Sequence, residues 1–334
     1  MSNEKQFVLA VDIGYSNLKV AYGSSDEEDY KSLILPATAG PREKLPRMNA
    51  RSKDEGEIRI TLDNVPWVAC VDPGVLEGWT RELNHEFTSS DNYRALLYAA
   101  LQMPGVSVID KVVTGLPVNH WNEPGYIERL EKLIVGKHQV SKGRAVEVKS
   151  VEVLPQPAGA FYKFVIEDAS EEQLVKVDRG FVAVCDPGYF SFDYCGFLKG
   201  GLRKNSSGTS LEAMSRLIEV TNTLIHEDNC RPSSVEEIET ALQKGETQVL
   251  AGSNMVELAP YLSEAKVETA DKALKDMVQD FRTERHPALI IMAGGGGSFY
   301  EEAVSKRYDG VDIVNVSPTG IVEGFWQKGV AGCQ

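Results

Sequence analysis

Apolar and polar positions follow one rhythm twice along this chain. The run from Phe7 to Val11 ends in Asp12-Ile-Gly14-Tyr15-Ser16-Asn17-Leu-Lys19, and the run from Phe181 to Cys185 ends in Asp186-Pro187-Gly188-Tyr189-Phe190-Ser191-Phe-Asp193. An apolar run that stops at a glycine turn and resumes with alternation predicts strand, tight turn, strand. Other alternating or apolar runs predict strands within 57–71, over 111–116 and 145–154, and over 288–293. Apolar residues at helical spacing predict helices over 91–103, 126–134, 155–166, 209–225, 235–243 and 267–282, another from Tyr300, and a last one over 319–328. Ser206 or Ser207 and Ser233 or Ser234 stand where caps belong, and Ser317-Pro318 reads as N-cap and first residue of the last helix. The stretch 24–57, with Pro36, Pro41 and Pro46, reads as a loop-rich insertion or small subdomain, and the charged segment 167–179 as a loop.

Strands alternating with helices predict the α/β class. The spacing of about 174 residues between Asp12 and Asp186 predicts a duplicated domain rather than a solenoid, with the loop at 167–179 as the boundary. A length of 334 residues at 42% hydrophobic content suits two ordinary domains. No run reaches the roughly 18 apolar residues of a membrane span, and the polar start is unlike a signal peptide, so no membrane contact and a cytoplasmic location are expected. The cysteines, Cys70, Cys185, Cys195, Cys230 and Cys333, are odd in number and widely spaced, which predicts reduced thiols. A net charge of −14 argues against direct binding to nucleic acid but leaves room for a nucleotide in a local site.

The repeated hairpins carry the chemistry. A carboxylate at each strand end, Asp12 and Asp186, can hold Mg2+ through water, the glycine turns can offer amides to phosphoryl oxygens, and Lys19 can offset phosphate charge. Gly294, Gly295, Gly296, Gly297 and Ser298 follow an apolar strand and let backbone lie against a planar ligand. That run is not a dinucleotide fingerprint, since no acidic residue follows at the expected distance after a further strand. The histidines His85, His120, His138, His226 and His286 show no metal-ligand spacing and read mostly as surface residues, and no serine-hydrolase elbow occurs.

The order of these features resembles the actin-like ATPase superfamily, and within it the plasmid-segregation actins of the ParM/StbA type. The matching stretches are Asp12-Ile-Gly14-Tyr-Ser-Asn-Leu-Lys19, Thr114-Gly-Leu-Pro117, Val153-Leu-Pro-Gln156-Pro-Ala-Gly159 and Met292-Ala-Gly-Gly-Gly-Gly297. The resemblance implies a duplicated, two-lobed actin-like (ribonuclease-H-like) fold with a nucleotide cleft between the lobes. Lobe I is then expected over 1–166, with an insertion at about 24–70. Lobe II is expected over 167–316, with a helical subdomain at about 209–282, and 317–334 as a C-terminal helix returning to lobe I. It also implies that Asp12 and Asp186 flank Mg2+ and the phosphates of ATP or GTP, and that Gly14, Tyr15, Ser16, Asn17, Lys19, Gly188, Tyr189 and Ser191 meet the nucleotide. Gly294 to Gly297 and Ser298 would bed the nucleoside. Gln156 matches the residue that positions the attacking water, a task a neutral amide can perform. The second hairpin departs from the pattern: Tyr189 and Phe190 replace small residues, and Pro187 lacks an amide donor.

These features lead to the expectation of an ATPase that assembles head to tail into filaments and segregates plasmid DNA through a ParR-like DNA-binding adaptor. The alternative is a small-molecule phosphotransferase of the same superfamily, for which Glu152 and Asp110 are the candidate bases. A chaperone-like ATPase is a third reading. Trp121 is a candidate contact between protomers.

Overall fold

Both repeated phrases fold as antiparallel hairpins, and each sits in the middle of its own sheet. The computed structural model describes residues 5–26, 29–45, 57–82, 86–229 and 231–333. Pro46, His85 and Cys230 lie outside these. The chain divides into two compact units, Met1–Leu174 with Val316–Gln334, and Val175–Asn315.

The first unit opens with β1 (Phe7–Ile13), β2 (Asn17–Ser24), β3 (Lys31–Pro36) and β4 (Ala39–Pro41). It continues through β5 (Ile58–Leu62), β6 (Val65–Ala69), α1 (Asp91–Gln102), β7 (Val108–Ile109) and β8 (Lys111–Leu116). After α2 (Val118–Asn122) and α3 (Tyr126–Ile134) come β9 (Gly136–Ser141), β10 (Arg144–Val148), β11 (Val151–Pro155) and α4 (Gln156–Lys163). The helix α5 (Glu171–Arg179) spans the division between the units.

The second unit contains β12 (Phe181–Pro187), β13 (Phe192–Leu198), β14 (Gly201–Ser210), α6 (Met214–Asn229) and α7 (Val235–Lys244). It ends with β15 (Gln248–Ala251), β16 (Asn254–Glu257), α8 (Ala259–Phe281), β17 (Leu289–Met292), α9 (Gly297–Arg307) and β18 (Asp312–Asn315). The last helix, α10 (Gly320–Ala331), belongs to the first unit.

The two main sheets have the same plan. One has the five-stranded order β3-β2-β1-β8-β11 and the other β14-β13-β12-β17-β18. In each, three strands form an antiparallel meander and two more join in parallel beside its first strand. The parallel strand in the middle must be buried on both faces, which is why β1 and β12 read as nearly unbroken apolar runs. In the first unit α1 and α10 pack on β1, and α4 packs along α10. Gly159 and Gly324 make that helix pair close: a Cβ on Gly324 would lie 1.8 Å from the Gly159 carbonyl oxygen. Smaller sheets, β7-β10-β9, β4-β6-β5 and β15-β16, complete the units.

Several elements differ from the sequence expectation. The stretch 24–57 is not only loop, because β3 completes the first sheet and β4 pairs with β6. Residues 145–154 are two strands, β10 and β11, in different sheets. The segment 167–179 holds a helix: a π-helical turn over Phe164–Asp168 precedes α5. The helix expected from Thr209 starts at Met214, because 201–210 form β14, where Ser206 and Ser210 face inward and Arg203, Lys204 and Asn205 stay exposed. Ser234, not Ser233, caps α7 by accepting from the Glu237 amide. Thr319, rather than Ser317, stands at the N-cap of α10. Among the described histidines His120 and His138 are buried, and the His138 ring nitrogen Nε2 lies 2.7 Å from the Ile134 carbonyl oxygen. Trp121 donates from its indole to the Val153 carbonyl and packs on the first core. The cysteines Cys70, Cys185, Cys195 and Cys333 are free thiols. Among the described residues, no helix is long and apolar enough to cross a membrane.

Candidate functional site

In the first unit the strand-turn-strand geometry sets Asp12 opposite Lys19, because cross-strand partners share a face of the sheet. The turn between them is closed by the Gly14 amide, which donates to the Asn17 carbonyl at 3.0 Å. Asp12 is buried, and its two oxygens have different donors. Lys19 Nζ lies 3.3 Å from Oδ2, and the Gln156 side-chain amide donates to Oδ1 at 2.7 Å. Gln156 reaches Asp12 because β11 runs parallel beside β8, and α4 starts where that strand ends. Gly115 leaves the room it needs: a Cβ there would lie 2.8 Å from Gln156 Cγ. Thr114, on β8, donates its hydroxyl to the Val11 carbonyl at 2.8 Å and so ties the strand end that carries Asp12. Ser16 lends its carbonyl to the Ala37 amide at 3.0 Å.

The second hairpin repeats the turn. The Gly188 amide donates to the Ser191 carbonyl at 2.8 Å, and Asp186 stands opposite Asp193. Where the first hairpin has a lysine, this one has a buried carboxylate that accepts from the hydroxyls of Ser191 and Thr209, each at 2.5 Å. The Ser191 hydroxyl is thus directed to Asp193. The carbonyls of Gly188 and Tyr189 accept from the Met214 and Ser215 amides, so the turn itself satisfies the free donors at the start of α6. The Tyr189 ring packs on the apolar clusters of this unit. Burial, with Asp186 next to it, pushes the Cys185 thiol up to about 12, which makes it a core residue without a thiolate at neutral pH.

The glycine run packs against this same hairpin. Ala293 donates to the Cys185 carbonyl and Gly296 to the Pro187 carbonyl, at 2.8 and 3.0 Å. Gly294 has a positive φ of +70°, and a Cβ on it would lie 2.3 Å from Asp186 Oδ1. A Cβ on Gly296 would meet the Pro187 carbonyl oxygen at 2.6 Å. Gly295 has open space around it and Ser298 is exposed, so the outer side of the run is accessible. Gly294 and Gly296 thus let the run lie directly against the Asp186 carboxylate and the Pro187 carbonyl, where any side chain would clash.

Among the described residues no three His, Cys, Asp or Glu side chains cluster to hold a metal. Mg2+ does not need such a cage, since one or two carboxylates, water and substrate phosphates complete its octahedron. A single carboxylate at a strand end, as Asp12 and Asp186 each are, suits that mode of binding. Sequence reading missed the supporting groups: Thr114, which was visible in the Thr-Gly-Leu-Pro stretch, and Met214 and Ser215, for which no sequence signal exists.

Residues 10–159 match the family model described as the N-terminal domain of actin-like proteins. No curated protein sequence is significantly similar to the chain. Solved structures resemble it over almost the whole length. One is a 15-stranded ParM filament from Clostridium botulinum, 15% identical, with a TM-score of 0.70, covering 97% of this chain and 99% of that one. An archaeal actin homologue in complex with ADP is 14% identical, with a TM-score of 0.72 and coverage of 97% and 99%. ParM of Bacillus thuringiensis with AMPPNP is 13% identical, with a TM-score of 0.64 and coverage of 98% and 99%.

Proposed function

We propose, from the actin-like fold and the match of residues 10–159 to the family model of the actin-like N-terminal domain, that the chain hydrolyses ATP or GTP and assembles with copies of itself in a nucleotide-dependent way. The observation that carries the proposal is the shared carboxylate of Asp12, with Gln156 on one oxygen and Lys19 on the other. A cation and a neutral amide are thereby fixed next to a turn whose backbone can face anionic oxygens.

In this reading Gly14, Ser16, Asn17 and Lys19 take the terminal phosphates, and the second hairpin contributes the backbone of its turn at Gly188 and Ser191, since the Ser191 hydroxyl is held by Asp193. Gly294 to Gly297 and Ser298 take the nucleoside. Asp12 and Asp186 would hold Mg2+ through water, and the ion would supply charge neutralisation on the phosphates. Gln156 cannot take a proton at neutral pH. Its part is to orient the attacking water with its carbonyl oxygen and amide while Asp12 fixes its rotamer.

The filament of a relative supports self-assembly as the use of this cycle. A net charge of −14 suits a protein that reaches DNA through a basic adaptor of the ParR kind, and segregation of plasmid DNA is the role we propose for the assembly. The phosphotransferase reading is less favoured, because both of its candidate bases are engaged. Asp110 accepts from Lys149 at 2.6 Å and from the Phe7 amide at 2.7 Å, and Glu152 pairs with Lys111 at 2.6 Å.

Phosphate release with Mg2+ and ATP or GTP tests the reaction. Steady release without a phosphorylated acceptor is expected, and Gln156→Ala is expected to lower kcat about a hundredfold with KM little changed. Full turnover in Gln156→Ala would overturn its assignment.

A further inference from the structure

Tyr15 occupies the first turn, yet its ring is committed elsewhere. It packs on the core of the first unit and stacks on Phe87, with ring centroids 4.6 Å apart and planes at 25°. Phe87 is 4% exposed and meets Tyr93 edge to face at 5.5 Å and 89°. Tyr93 is buried on α1 beside Thr114, which donates to the carbonyl of Val11. The contacts start in the turn and return to the strand end just before Asp12. Two different parts of one hairpin are therefore braced by a single aromatic column.

We infer that Tyr15 is a positioning residue that holds the turn 14–17 in the shape its amides need to take a polyphosphate, with Phe87 and Tyr93 as its support. The inference rests on the nucleotide reading above and goes further by giving Tyr15 no contact with the base. A turn with a free ring samples many conformations, and each must be given up when anionic oxygens bind, whereas a stacked ring removes that cost beforehand. Because the column acts on backbone alone, the turn recognises the phosphate chain and is indifferent to the purine.

The test is the affinity of full-length protein for ATP, GTP and inorganic tripolyphosphate with Mg2+, by calorimetry, in wild type, Tyr15→Leu, Tyr15→Phe, Phe87→Met and the double variant Tyr15→Leu/Phe87→Met. Tyr15→Leu is expected to weaken all three ligands by the same factor, about three- to tenfold. Tyr15→Phe, which keeps the ring, should recover most of the loss. Phe87→Met conserves bulk and is expected to give the same loss from the other face of the stack, and the double variant to lose little more than either single one. The inference is overturned if Tyr15→Phe is as weak as Tyr15→Leu, if ATP and GTP are weakened unequally, or if the two losses add in full. If wild type binds ATP while Tyr15→Leu binds it equally well, the positioning role falls and the nucleotide reading stands. If wild type binds none of the three, both fall.

Discussion

Asp186 and Gly294 form a pair in which one residue is defined by what the other lacks. The glycine holds a left-handed backbone at φ +70°, and its missing Cβ is what lets Asp186 Oδ1 lie against the loop. Gly294→Ala is expected to cost more than about 1 kcal/mol of stability, because the backbone is strained for any side chain and the methyl group would also displace the carboxylate. Urea denaturation checks this, with Gly295→Ala as the comparison. Nothing lies within 4 Å of a Cβ at that neighbour, and its stability should stay within about 0.5 kcal/mol of wild type. A Gly294→Ala protein as stable as Gly295→Ala would show that the close approach to Asp186 does not constrain the loop.

At the scale of elements, the helices α4 and α10 hold Gln156 in place through a glycine contact and an ion cluster. Gly324→Ala would drive a methyl group into the Gly159 carbonyl, and since both surfaces are backbone no rotamer can relieve it. A loss of about 3 kcal/mol in urea denaturation is expected, together with slower phosphate release through a displaced Gln156. The cluster joins Lys163 to Glu167, to Asp168 at 3.8 Å and to Glu323 at 3.2 Å, while Glu323 also accepts from Ser32 and Thr319. Burial works to raise the Glu323 carboxyl, but hydrogen bonds from Thr319 and Lys163 outweigh it and hold the group below its ordinary 4.5. Lys163 is raised, the bonds to Glu167 and Glu323 overcoming the opposite pull of burial, and Asp168 is raised by burial. A depressed carboxylate contributes stability that is full above its ordinary value and is lost as pH falls through the lowered one. Glu323→Gln should therefore cost about 1–3 kcal/mol at neutral pH and show a flatter loss of stability below pH 4.5, read from melting temperatures across the acid range. Parallel curves for the two proteins would remove Glu323 from the acid response.

Elements of strong period were legible in the chain. The helix α3 falls on 126–134 as expected, and β1, β8, β12 and β17 announce themselves by apolar runs. Edge and peripheral strands were not. The strand β14 turns only small side chains such as Ser206, Gly208 and Ser210 inward, and β18 is a four-residue edge with polar ends. Short polar strands lack the alternation that would distinguish them from loops. Within the candidate site, Asp12 opposite Lys19 follows from the hairpin alone, whereas the bond from Gln156 spans 144 positions and depends on strand order.

The whole molecule repeats one plan: in each unit a meander of three strands joined by two parallel ones, with a glycine turn at the end of the buried strand in the middle. The copies have diverged in chemistry. The first keeps a cation at its seventh position after the aspartate, and the second has exchanged it for a carboxylate held by two hydroxyls. Assembly controlled by a nucleoside triphosphate is the central proposal. Sedimentation at micromolar protein with Mg2+ and ATP, GTP, ADP, GDP or no nucleotide tests it most directly. The account predicts that the protein pellets with at least one triphosphate and stays in the supernatant with the diphosphates or with none; equal sedimentation under all five conditions would contradict it.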